Sequence, residues 1–355
     1  MKFEVLKTNK PDCSFLDGGV ETSLNRINDQ QISYQGFQLR GEFDRPLSFL
    51  GLVPENERHA VYAYLNNHDV QQQAHPSSRR LVIDVFDALE SAGLKDSPPA
   101  EQEDWLSTNL PFLYSELTRS VKEYRLSLPD YKSNIQHKSY WWLFGESRVG
   151  LRGACRDLDQ IIAIGRVGKA LKPCFIDKID KGTRLRVAPS HSLYLLPTKS
   201  IACFTLLNSF LFEAFSRRLC STLGLGLSFS PSDVFPFFPF AWDILNPPGS
   251  VERRLKPVGE NLIRVREEMM VDFNGITSLY NAFDDPTDKK IEHLREAHRL
   301  LEEAVLAEYG WSDLGGWGFD RPWVDGSLRY APNGGVRQEY LRRLEQLNQK
   351  VFRGD

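Results

Sequence analysis

The sequence predicts an α+β protein, a mixed domain of short strands and helices followed by a smaller helical domain. Three observations carry this. Short β-prone runs bounded by turn residues cluster between Leu81 and Leu196, without the regular strand–helix alternation of a doubly wound sheet. A proline-rich aromatic stretch, from Ser230 to Ser250, then interrupts the chain. Beyond it, apolar residues recur at intervals of three and four, the signature of amphipathic helices.

Residues 1–33 are polar with few apolar anchors and read as a lead-in arm. The mixed domain is expected over residues 34–249. Its strands are Leu81 to Phe86, Gln160 to Ile164, Pro173 to Ile176, Arg184 to Val187 and Ser192 to Leu196, chosen for length, β-branched content and Gly/Pro boundaries. Trp105, Leu113, Leu117 and Val121, mostly four apart, predict a helix over about Glu101 to Arg125, and Lys199 to Leu219 reads as one wide-faced buried helix. Pro231, Pro236, Pro239, Pro247 and Pro248 cannot continue a helix or a central strand, so residues 230–250 form a connector pinned by its phenylalanines. The helical domain occupies residues 250–355. Leu262, Val265, Met269, Phe273, Ile276 and Tyr280 mark one stretch, and Ile291, Leu294, Leu301, Val305 and Tyr309 the next, with Thr287 or Asp288 as cap and Gly310 as stop. After a Gly/Trp-rich loop at 315–318, a last helix runs from about Val336 to Val351.

The chain has 355 residues, room for about two domains. With 41% hydrophobic and 26% charged residues it is neither disordered nor purely coiled coil. Five cysteines, odd in number and without a C-x-x-C pair, indicate neither a disulfide framework nor a zinc site, which suits a reducing cytoplasm. No apolar run follows the first lysines, so no secretory signal is expected; the nearest thing to a membrane span, Ser200 to Ala214, is short and carries Glu213.

Signatures of catalysis are missing: there is no G-x-x-x-x-G-K-[ST], no G-x-S-x-G and no H-E-x-x-H. Asn246-Pro247-Pro248 resembles the tetrapeptide with which amino-methyltransferases hold a target amine, but Gly249 stands where that motif needs an aromatic, and a plain turn is expected. His293 and His298 are five apart, off the i, i+4 spacing a helix-borne metal site needs, and are expected to be structural or solvated. Charge is more informative. Net charge is −3, yet residues 148–199 hold eleven basic and four acidic residues, a local +7 that leaves −10 elsewhere. That pattern describes either one basic face suited to phosphates or a merely solvated surface.

Several blocks, in order, give the chain a family resemblance. They are Tyr34-Gln35-Gly36; Tyr64 to Asp69 with Arg79, Arg80 and Ile83-Asp84; Tyr140-Trp141-Trp142-Leu143 with Glu146, Arg148 and Leu151-Arg152; and Arg166-Val167-Gly168-Lys169. Ser230-Pro231-Ser232-Asp233 follows, running into Phe237 to Phe240, then Leu279-Tyr280-Asn281 with Leu294-Arg295 and His298, Ala304-Val305 with Tyr309-Gly310-Trp311, and Leu344 to Asn348. Together they resemble the C-terminal, target-recognition half of type IIG-like restriction–modification N6-adenine DNA methyltransferases. The likeness has departures: Gly168 replaces a small hydroxyl residue, and the turn at 316–319 is looser than the family's histidine-containing one.

The resemblance implies a sequence-specific double-stranded DNA recognition component of a restriction–modification or phage-defence system. It would bind no cofactor itself and would direct adenine methylation by a partner methyltransferase chain carrying S-adenosylmethionine. The chain begins about where the family's recognition half begins, so no catalytic or metal-binding residue is expected. Arg148, Arg152, Arg166, Lys169 and Lys172 are expected to contact DNA, at phosphates more than bases, joined by Asn67, Ser230 and Ser232. Other readings stay open beside these: Asn66, Asn67 and Asp69 as base readers or turn formers, Asp233 as reader or cap, Trp141 and Trp142 as stacking groups or core. The alternative for the whole chain is a protein-binding adaptor or decoy that keeps the recognition fold.

Overall fold

The computed structural model describes residues 24–73, 76–223, 226–321 and 326–354. Most of the lead-in arm, residues 1–23, lies outside the described residues. Compactness divides the chain into two units, both discontinuous in sequence. A sheet unit comprises Tyr34–Ala163 and Phe175–Pro197; a helical unit comprises the described residues up to Ser33, Ile164–Cys174 and Thr198–Asp355. The helices between 201 and 219 and the aromatic connector thus share a unit with the C-terminal helices, whereas the sequence reading separates them at 249/250. The mixed α/β architecture with a helix-rich C-terminal region is as the sequence predicts.

In the sheet unit one four-stranded sheet runs Asp44–Pro46, Arg80–Ile83, Val61–Leu65, Val187–Pro189, antiparallel except for the last, parallel pair. Leu81, Val82 and Ile83 are all 0% exposed, which explains why this strand is apolar at successive positions and not alternating. Each such side chain contributes about 1.5–3 kcal/mol by leaving water. The strand stops at Ile83, short of the expected Phe86, because the Asp84 carboxylate accepts from Phe86 N and a short helix, Phe86–Ser91, begins there. The second sheet orders Tyr34–Gln35, Leu193–Leu196, Gln160–Gly165 and Cys174–Asp177.

The expected helix 101–125 is a chain of shorter ones, Pro99–Asn109, Pro111–Leu117 and Glu123–Leu126, the last two joined by a π-helical turn, Thr118–Lys122. Pro111 has no N–H to continue the first helix, so the chain breaks at Leu110 and the buried stripe restarts. Leu106 takes the buried place expected for Trp105, while Leu113, Leu117 and Val121 are core as predicted.

In the helical unit the single helix expected over 199–219 is two, Ile201–Leu207 and Phe210–Leu219. Ser200 and Ser209 cap them, accepting from Cys203 N and Phe212 N. Each N-terminus also receives a carboxylate: Glu252 on Ile201 N and Ala202 N, Glu302 on Phe210 N and Leu211 N. The long helix Gly249–Met269 packs on Ile201–Leu207 through Gly259, where a Cβ would lie 2.4 Å from Ile201 Cγ2 and Thr205 Oγ1. Helices Gly275–Phe283, Glu292–Glu308 and Gly334–Arg353 follow. Gly310 ends the third of these four with φ +69, but Thr287 and Asp288 do not cap it: Ile291 stands at the cap without a side-chain bond. The Gly/Trp-rich loop is partly a hairpin, Trp317–Asp320 with Arg329–Pro332, whose Trp317 packs edge-on against Phe210. Connector Phe235 stacks on Phe212 and Phe238 meets the same ring edge-on, and Asn28 Nδ2 donates to the carbonyls of both.

Candidate functional site

The +7 segment is largely neutralised. Arg148, Arg152, Arg156, Lys172, Lys181 and Arg186 each have a carboxylate oxygen within 4.0 Å, and among these carboxylates only Asp177 belongs to the segment itself. The expected basic face is therefore much smaller than the sequence count suggests.

Two of the expected DNA contacts, Arg152 and Lys172, are engaged within the fold. Arg152 donates Nε to Ser147 O, Nη1 to Asp87 and Nη2 to Asp84, and its guanidinium lies 4.6 Å from the ring centroids of Phe37 and Phe86. Burial works against its charge, but Asp84 and Asp87 hold its pKa above the usual value. Every nitrogen is engaged inside the fold, which leaves no fork for a phosphate. Lys172 sits 4.0 Å from Glu213 with its ammonium 4.1 Å from the Tyr280 ring centroid. Burial foremost pushes its pKa down to about 8, so it is a core group and not a surface cation.

The other candidates fall in two places. In the helical unit, Arg166, Lys169, Ser230 and Ser232 are drawn together. Val167–Gly168 pairs with the hairpin strand Gly226–Ser228, and Phe229 N donates to Arg166 O at 2.9 Å, which sets Ser230 one residue further along. Arg166 is exposed and has no ion-pair partner among the described residues. Lys169 is exposed and its Nζ donates to Asn281 Oδ1 at 2.9 Å. Ser230 Oγ lies 3.0 Å from the exposed Ser232 Oγ. The hairpin itself, Ser221–Leu223 with Gly226–Ser228, was not expected from sequence; its outer strand is exposed throughout, with Leu223 65% accessible. Glycines at 224 and 226 beside a serine-threonine pair were the available signal.

In the sheet unit, Arg148 and Asn67 flank the loop at 190–193. Arg148 donates to Gln35 Oε1 and Gly36 O, while Asn67 N bonds Ser192 Oγ and its Oδ1 accepts from Gln71. Gly36 is required here, since a Cβ would lie 2.2 Å from Ser190 O. Arg40, Arg148 and Arg184 are the non-glycine residues with positive φ among those described, at 51°, 49° and 62°. Such backbone strain tends to gather where a side chain must be aimed.

The open alternatives resolve toward structure in several cases. Asn66 and Asp69 form a reciprocal capping box at the helix Asn67–Gln72. Trp141 and Trp142 are 2% and 1% exposed. Asn246-Pro247-Pro248 leads into the helix Gly249–Met269 as a bend and a short non-helical segment, with Pro248 at the cap. His298 is buried, its Nε2 2.6 Å from Tyr280 Oη, and no group of metal-ligating side chains occurs among the described residues.

Sequence reasoning also missed a pocket of about 270 Å³ in the sheet unit, whose lining includes Tyr62, Asp84, Asp87, Arg152 and Arg186 together with further charged and apolar residues. Tyr62 Oη donates to Asp87 at 2.7 Å, and burial followed by the two aspartates keeps the phenol protonated. Both carboxylates are tied by arginines, so neither is placed as a general base.

No protein-family model matches this chain, and no curated protein matches it. Among solved structures it resembles the Type IIL restriction-modification enzyme MmeI in complex with DNA, with a TM-score of 0.64 and 17% sequence identity over 95% of this chain and 38% of that one. The chain thus spans well under half the length of that enzyme, and the likeness is one of fold.

Proposed function

We propose that this chain recognises double-stranded DNA as the specificity part of a restriction–modification or phage-defence system. The observation that carries the reading is the fold likeness over 95% of the chain to an enzyme solved in complex with DNA. The exposed edge formed by Arg166, Lys169, Ser230 and Ser232 beside the projecting hairpin supports it, because cations and hydroxyls there can meet backbone phosphates while the hairpin approaches a groove. Adenine methylation is assigned to a partner methyltransferase, whose S-adenosylmethionine supplies the methyl group when bound. The recognition part would hold an opened duplex while the target base enters the partner's pocket. Binding of labelled duplexes at a series of salt concentrations tests this, and affinity that ignores salt contradicts it.

One observation favours the second reading, a protein-binding adaptor: the neutralisation of six cations in the basic segment. Arg166→Gln with Lys169→Gln separates the two. Loss of duplex binding with partner capture intact supports DNA recognition; the reverse supports the adaptor.

A further inference from the structure

The pocket of about 270 Å³ in the sheet unit has no part in the DNA contact proposed above. Its size is just below the roughly 300–1,000 Å³ usual for small-molecule sites. The floor is apolar. Leu151, Leu158, Ile161, Ile176, Val187 and Pro189 come from the helix Val149–Ala154, the loop after it and three strands.

The walls carry four acids, Asp84, Asp87, Glu90 and Asp177, and four bases, Arg152, Arg156, Lys178 and Arg186. All four acids are engaged. Asp84 is held by Arg152, and Asp87 by Arg152, Arg186 and the Tyr62 hydroxyl. Glu90 meets Lys95 at 3.1 Å and Arg156 at 3.6 Å, while Asp177 accepts from Gln160 Nε2 at 3.0 Å and pairs with Lys181 at 3.1 Å. The three arginines are thereby paired, and Lys178 has no ion-pair partner among the described residues.

Lys178 is nonetheless fixed in place. Its N donates to Asp159 O at 2.7 Å, its O accepts from Val187 N at 2.9 Å, and its Nζ donates to Arg156 O at 2.5 Å. The side chain therefore reaches from the end of strand Cys174–Asp177 to the loop after helix Val149–Ala154, both of which line the pocket. Two of the ammonium's three N–H groups remain for a ligand. Cys155, on the same wall, feels this charge: burial pushes its thiol up to about 11, and Lys178 pulls the other way.

We propose that this pocket binds a small carboxylic acid as its anion, with the apolar body on the floor and the carboxylate on Lys178 Nζ. One unneutralised ammonium matches one negative charge, through a charge-assisted hydrogen bond. A phosphate dianion would bring a second charge to walls whose other cations already hold acids, and its oxygens would gain nothing from the apolar floor. The site stands apart from DNA recognition, and protein alone is enough to test it.

The test titrates the full chain with naphthylacetate and, in parallel, with its neutral amide, naphthylacetamide, by calorimetry. Alkylation of Cys155 by iodoacetamide, followed by peptide mapping, reports where each binds. The acid should bind about tenfold tighter than the amide, the lower end for a hydrogen bond to a charged group, and should slow alkylation of Cys155. Lys178→Met, at an exposed position, should bring the acid down to the affinity of the amide and leave that of the amide unchanged. Failure of both compounds to bind at millimolar concentration overturns the site. Equal affinities in the wild type, or a preference for the acid that survives in Lys178→Met, overturn the carboxylate assignment. Binding that leaves Cys155 alkylation at its original rate places the ligand elsewhere and overturns the pocket as its site.

Discussion

Arg152 donates to Asp84 at 2.5 Å, binding the helix Val149–Ala154 to the end of the central strand Arg80–Ile83. The Asp84 side chain is 3% exposed and that of Arg152 12%. Breaking such a pair leaves a buried carboxylate without its counter-ion, held only by Phe86 N. Arg152→Met is expected to cost about 3–5 kcal/mol in denaturant unfolding, whereas exposed Arg166→Gln should stay within about 0.5 kcal/mol. If Arg152→Met unfolds like the wild type but binds DNA more weakly, the structural assignment of Arg152 is wrong.

Lys172 separates burial from DNA contact in the helical unit. Because its folded pKa of about 8 lies below the ordinary 10.5, the unfolded chain holds the proton more tightly, and its contribution to stability rises as pH goes from about 8 to 10.5. Lys172→Met should remove that rise and leave duplex affinity within about twofold of wild type, because no phosphate contact is lost. A large affinity loss in a folded variant would restore it as a contact.

Glu302 has the opposite sign. Burial raises its pKa from 4.5 to about 7 against the pull of Phe210 N, Leu211 N and Tyr340. The folded protein holds this proton more tightly than the unfolded chain, so this contribution is complete below 4.5 and is lost as pH rises toward 7. Thermal melts across that window should show a shallower decline in Glu302→Gln than in wild type; identical slopes count against the assignment.

Gly259→Ala sets two effects against each other. Alanine gains about 1 kcal/mol in helix propensity, but its Cβ would sit 2.4 Å from Ile201 Cγ2 and Thr205 Oγ1, and overpacking of that kind costs about 1–3 kcal/mol. Net destabilisation is expected on chemical unfolding. A stabilised variant would mean that the two helices separate easily.

These contrasts show what the sequence could and could not reveal. Strand Arg80–Ile83 and the helix Gly334–Arg353 were legible because burial writes a local pattern. The split at Ser209 was not: residues on both sides are buried all round, so no change of period marks the cap. Charge failed for a related reason. The partners of Arg152 stand 65 and 68 residues upstream, at Asp87 and Asp84, and a window along the chain counts the cation without its acid. Arg166 could be picked out with the others but not ranked above them, since only its lack of an ion-pair partner distinguishes it.

The most direct measurement is duplex affinity as a function of salt for the wild type and Arg166→Gln. DNA recognition through this edge predicts a linear fall of log affinity with log salt, with a slope smaller by about one in the variant. A flat salt response in the wild type, or lines that superimpose, would contradict it.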